Sequence, residues 1–227
     1  MKTLDKDKQS LITPRIALKL LKDGNTRFIL NLKANRDLLQ QVNDTIDGQS
    51  HFATILSCID SRTSAELIFD QGLGDIFSVR VAGNIINTDI IGSMEFTCKI
   101  AYSKLIVVLG HTKCGAIKGA CDHVEMGNLT ELLSKIQPAI YQEKETKENR
   151  NASNTTFVEN VSMINVKRTV KSIIERSYIL EQMIESGEIG IVGAMYNIES
   201  GKVEFYDDVL FLKDEANPNF SMLELKH

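Results

Sequence analysis

Three short apolar runs, at residues 52–57, 104–110 and 189–196, limit what this chain can fold into. Each is too short for a core helix, rich in Ile, Val and Leu, and apolar at consecutive positions. That pattern suits strands buried on both faces. A further strand is expected over 75–81. Between the runs lie helical patterns: 66–71 closed by Gly72, 91–102, segments at about 115–122 and 129–141, and a long helix over 157–186 ended by Gly187. A turn at 199–202 leads into 203–206, an antiparallel edge strand. Strands alternating with helices predict an α/β fold. It should have a mostly parallel central sheet, about four parallel strands plus an antiparallel edge strand, flanked by helices. Ligands in such sheets gather beyond the carboxyl ends of the strands.

Ahead of this core, Thr13-Pro14 reads as a helix N-cap followed by proline at the first helical position. Ile16, Leu18, Leu20 and Leu21 give the helix an apolar face. Gly24 is expected to interrupt or cap it before a second helical stretch at 26–31. The division expected for a single domain over 1–227 is an N-terminal helical arm at about 1–45, an α/β core over 50–206 and a C-terminal tail over 207–227. The arm is amphipathic and can cover a neighbouring subunit as readily as its own core. Residues 142–154 are asparagine-rich and charged and read as an exposed loop, with 143–150 a solvated face. Gly72-Leu73-Gly74 follows a helix and lacks a third glycine, so it reads as a helix stop rather than a dinucleotide loop.

With a net charge of −4, the chain offers no basic field for a phosphate backbone, and no nucleic-acid partner is expected. No apolar run approaches the length of a membrane span, and the charged N-terminus has no signal-peptide core behind it. The reading is therefore cytoplasmic, with no membrane partner. The sequons at Asn43, Asn128, Asn151, Asn154 and Asn160 are then accidents of composition. Four cysteines in a chain of this length point to metal binding or burial rather than disulfides. Cys98 and Cys121 lie in helical patterns and read as packing residues.

Cys58-Ile59-Asp60-Ser61-Arg62 follows the first apolar run, and His111-Thr112-Lys113-Cys114-Gly115 follows the strongest one. Either motif alone is weak. Together, both just after strands, they bring two thiolates and an imidazole to one sheet edge. Cys58, His111 and Cys114 would hold Zn²⁺ with one position left open. The strand-to-helix turn favours a thiolate at Cys114. Asp60 can ligate the metal as a fourth ligand in a closed state, or be drawn off by a bidentate pair with Arg62. The open form generates a nucleophilic hydroxide near neutral pH. His123 and His227 read as solvated, and His51 as a loop residue rather than a proton shuttle.

These two motifs, with Arg80-Val81-Ala82-Gly83-Asn84, resemble the β-class carbonic anhydrases over most of the chain. The resemblance implies zinc-dependent, reversible hydration of CO₂ to bicarbonate and a proton. It carries the zinc ligands onto Cys58, His111 and Cys114 and the catalytic dyad onto Asp60 and Arg62. It also implies a homodimer, possibly a tetramer, with N-terminal helices wrapped over the partner. Gly48-Gln49-Ser50 matches a segment whose glutamine reaches across the dimer interface to a substrate oxygen. Phe77, Ala82 and Gly115 are assigned to substrate binding, the first two in a small apolar CO₂ pocket. Thr63-Ser64 stands where many members have Val-Pro, which is expected to loosen that turn, and Phe96 replaces a common tyrosine. The bicarbonate-inhibited subgroup relies on a tryptophan and this chain has none, which favours the constitutively open subgroup. The alternatives on the same sequence are hydrolysis of carbonyl sulfide or carbon disulfide, and a non-catalytic zinc-stabilised protein.

Overall fold

A computed structural model describes residues 3–213. Three helices open the chain: α1 (Lys6–Ser10), α2 (Pro14–Ile29) and α3 (Leu38–Asp44). In α2, Thr13 accepts a hydrogen bond from the Ile16 amide and Pro14 occupies the first turn, as its sequence predicts. The expected interruption at Gly24 does not occur, and α2 runs through it. A Cβ there would lie 1.8 Å from the Phe69 carbonyl oxygen. The glycine lets another segment's backbone approach the helix; it does not end the helix.

The core then alternates as its apolar runs predict: β1 (Ala53–Ser57), α4 (Ala65–Ile68), β2 (Ile76–Arg80), α5 (Thr88–Glu95), β3 (Leu105–His111), α6 (Gly115–Cys121), α7 (Gly127–Ser134), α8 (Gln137–Gln142), α9 (Thr155–Arg176), α10 (Tyr178–Glu185), β4 (Gly190–Tyr196) and β5 (Val203–Phe211). The strand order is β2-β1-β3-β4-β5, four strands parallel and β5 antiparallel to β4. β1, β3 and β4 are buried at every position, whereas the edge strand β2 alternates and the edge strand β5 is mostly exposed or half-buried. Successive side chains go to opposite faces. Leu105, Val107 and Leu109 pack with α2 residues, while Ile106 and Val108 pack with residues of α5, α9 and α10.

Several boundaries differ from the sequence expectation, each for a visible reason. The expected long helix breaks at Ser177, whose extended backbone caps α10 while its hydroxyl donates to Glu95 at 2.6 Å. The expected helix at 66–71 is reduced to α4, and Asp70 leaves it with a positive φ of 46°. Asp70 is buried and pairs with Arg27 and Arg36, tying α2 and the segment after it to the core. The expected helix at 91–102 starts earlier, because the Asn87 side chain caps α5, and continues as a π-helical turn over Phe96–Ile100. β5 runs to Phe211, beyond the expected 203–206. The segment 143–154 is non-helical, but it is not simply a solvated face. Glu143 is buried and pairs with Arg150, which stacks over the Phe157 ring. Its partners Thr146, Arg150 and Asn160 lie close in sequence, but the Asn-rich charged run gives no sign that the chain folds back on Glu143 there. Among the described residues no helix is long and apolar enough to cross a membrane. His227 and most of the expected tail lie outside the described residues.

Candidate metal centre

With β1 lying between β2 and β3, the chain leaves β1 toward one side of the sheet and β3 toward the other. At such a reversal of direction, the carboxyl ends of the two strands are where α/β sheets gather ligands. Cys58 is the first residue after β1, His111 is the last of β3, and Cys114 caps α6. Lys113, at a φ of 57°, tightens the turn that brings Cys114 back toward His111. The ligand atoms of the three side chains lie within 4.8 Å of one another, and all three residues are buried.

The donor chemistry fits a divalent soft cation. The sulfurs of Cys58 and Cys114 are 3.9 Å apart and not bonded to each other. Two thiolates on a tetrahedral zinc, with Zn–S near ~2.3 Å, stand about 3.8 Å apart. His111 Nδ1 lies 3.0 Å from the Thr112 carbonyl, which can only accept, so the proton sits on Nδ1. Nε2 is buried, has no hydrogen-bond partner among the described residues, and is left as a lone-pair donor toward the sulfurs. The Cys58 thiol is driven down by the hydrogen bond from Cys114, and Cys114 is driven up by that same hydrogen bond, by burial and by the negative charge of Cys58. Two sulfurs this close hold one proton between them unless a cation takes its place.

The loop after Cys58 is pinned from several directions. Arg80 donates to the Cys58 carbonyl at 3.0 Å and to the Asp60 carbonyl at 2.7 Å. The Thr63 hydroxyl sits 3.0 and 2.8 Å from the same two carbonyls. Thr63 thus secures the turn it was expected to loosen. Arg62 grips Asp60 bidentately, Nε to Oδ1 at 2.9 Å and Nη2 to Oδ2 at 2.7 Å, and its amide donates to Oδ1 as well. The guanidinium holds the Asp60 carboxyl well below the usual carboxylate range. The Gly83 amide points at Cys58 Sγ, 3.4 Å away. Gly83 has a φ of 67°, a conformation that calls for glycine, and a Cβ there would also press on the end of the Ile136 side chain at 2.9 Å. Arg80 and Gly83 were visible only as part of a motif, and their role in securing Cys58 requires the fold.

The remaining candidates divide. Ala82 lies in the short 3₁₀ turn over Ala82–Asn84, beside Gly83, and Gly115 opens α6 beside Cys114. Gln49 and Phe77 do not join the cluster. Gln49 is exposed and precedes β1, so the strand separates it from Cys58 by roughly 17 Å. Phe77 pairs in register with Thr54, and its ring lies tilted against that of His51 with centroids 3.8 Å apart, toward that same far end of the strand. His51 is a loop residue as expected, and it is buried. His123 is exposed. Cys98 and Cys121 are buried packing residues, with burial pushing their thiols up to about 12 and about 11.

A family profile described as "Carbonic anhydrase" matches residues 53–203. Carbonic anhydrase 2 of Mycobacterium tuberculosis is 33% identical over 89% of this chain and 98% of its own length. The carbonic anhydrase of Mycolicibacterium smegmatis is also 33% identical, over 84% of this chain and 92% of its own. Among solved structures, the β-carbonic anhydrase CcaA aligns with a TM-score of 0.66 at 24% identity, over 86% of this chain and 99% of that one. The Coccomyxa β-carbonic anhydrase aligns with a TM-score of 0.65 at 21% identity, over 71% and 74% of the two chains.

Proposed function

Because the chain belongs to the β class of the carbonic anhydrase family, we propose that it hydrates CO₂ reversibly to bicarbonate and a proton, at a zinc ion held by Cys58, His111 and Cys114. The observation that carries this reading is the convergence of three buried ligand atoms, with His111 Nε2 left unsatisfied. When bound, zinc supplies Lewis acidity and an acidified water for attack on an electrophilic carbon.

The chain's own residues do the rest. Two thiolates neutralise a dication, and the Thr112 carbonyl fixes the tautomer and orientation of His111. Asp60, kept ionised by Arg62, cannot donate a proton near neutral pH. It can accept one hydrogen bond and so orient a nucleophilic water. Ala82 and the packed loop around Gly83 provide apolar surface suited to a substrate without charge or dipole. Gln49 and Phe77 lie too far along the strand to serve their own centre. We assign both to the centre of a partner subunit, where the Gln49 amide donates to a substrate oxygen. The active unit on this reading is a cytoplasmic homodimer. Assembly beyond it would follow the tetramers named for the Sordaria macrospora relatives.

The test is stopped-flow CO₂ hydration between pH 7 and 9, with zinc measured on the same sample. The expected result is about one zinc per subunit and rapid turnover. A zinc-loaded sample without hydration activity would overturn the reading.

A further inference from the structure

On the surface of α9, away from the thiolates, a cavity of about 230 Å³ collects polar groups that the reaction does not use. Asn165, Arg168, Thr169, Ser172 and Arg176 recur at helical spacing, so they line one face of α9, and Lys135 joins the lining. Ile85 and Ile86 complete the lining. Among the described residues no carboxylate lines the cavity. Lys135 is occupied by Glu131 at 2.9 Å, but neither guanidinium has an ion-pair or hydrogen-bond partner among the described residues. Asn165 and Thr169 are 4% and 6% exposed, so the polar lining includes buried groups as well as surface ones. In a chain of net charge −4 this is a local reversal of sign, formed almost wholly from hydrogen-bond donors.

We propose that this cavity binds a phosphate-type oxyanion, either inorganic phosphate or the phosphate of a small monoester. Two guanidinium groups supply bidentate donors matched to a dianion, and the Thr169 and Ser172 hydroxyls add two more. The volume and concavity suit an anion of that size rather than a polymer backbone. The site is also connected to the metal centre. Asn165 donates to the Gly83 carbonyl at 2.9 Å, and the Gly83 amide faces Cys58 Sγ. An anion that shifts α9 or Asn165 therefore acts on the loop that seats a ligand. Binding itself does not depend on the zinc reading.

The experiment is calorimetric titration of the zinc-loaded protein with inorganic phosphate at constant ionic strength. Wild type should show one saturable site per subunit. Arg168→Gln combined with Arg176→Gln should weaken it by about tenfold or more. Lys171→Gln removes the same charge outside the cavity and should leave affinity within about twofold. Far-UV circular dichroism and zinc content establish that the variants remain folded. Three results overturn the proposal: no saturable binding up to about 10 mM, unchanged binding in the double variant, which assigns the heat to the metal centre, or an equal loss in Lys171→Gln, which reduces it to diffuse charge.

Discussion

Asp60 and Arg62 are two residues apart and meet through three hydrogen bonds, so this pair is a local structure that the turn carries with it. Its electrostatics follow directly. The Asp60 carboxyl is depressed by Arg62, so the pair's contribution is complete above the ordinary Asp range near ~4 and is lost only as pH falls below it. Any activity change between pH 6 and 9 thus has another source. Asp60→Asn should retain zinc but lose about a hundredfold in kcat, as measured by stopped flow. Retention of wild-type kcat would remove Asp60 from the mechanism. Cys58→Ser should do the reverse and fail to hold zinc after dialysis, because a neutral hydroxyl replaces a thiolate in a site that needs anionic ligands. Thr63 carries the residue-scale surprise. Read against its relatives it weakened the turn, yet its hydroxyl lies between two carbonyls of that turn.

At the scale of elements, the positions that sequence reasoning misplaced are those where a distant segment decides. Gly24 looked like a helix break, but it is the point where the Phe69 carbonyl meets α2. Gly24→Ala forces a Cβ onto a backbone oxygen and should cost about 3 kcal/mol in chemical denaturation. An unchanged midpoint would mean that α2 is not packed there. Ser177 divides one periodic pattern into α9 and α10: its hydroxyl accepts from the Leu180 amide as a local cap and donates a hydrogen bond to Glu95, and only the second contact is hidden from the sequence. The loop joining α3 to β1 carries a buried titrating group. Burial pushes the His51 imidazole down to about 4, with the Ala101 backbone opposing only in part. The unfolded chain then binds the extra proton between about 6.5 and 4. Stability should therefore be complete above that window and fall as pH drops through it, by at most about 1.4 kcal/mol per pH unit. His51→Gln should flatten this slope in melts recorded across pH; an unaltered slope would assign the acid sensitivity to other groups.

For the whole molecule, the test concerns residues the chain cannot use on its own. If Gln49 serves a partner's centre, Gln49→Ala and Cys58→Ser are complementary lesions. Co-expression at equal amounts should restore one intact centre in each mixed dimer, giving about a quarter of the wild-type rate. Activity no greater than the sum of the separate variants would place Gln49 outside the reaction. The alternation of apolar runs with helices was enough to predict a parallel sheet, and the paired motifs after two of those runs were enough to predict a metal. Both are written locally, in side-chain period and in the chemistry of thiolate, imidazole and carboxylate. The sequence alone could not say how the ligand loop is held by Arg80, Thr63 and Gly83, that Glu143 is buried, or that Phe77 pairs beside the start of β1, at the end remote from Cys58. Those depend on which segments become neighbours, and strand order and close backbone approach are properties of the packed chain, not of any stretch of it.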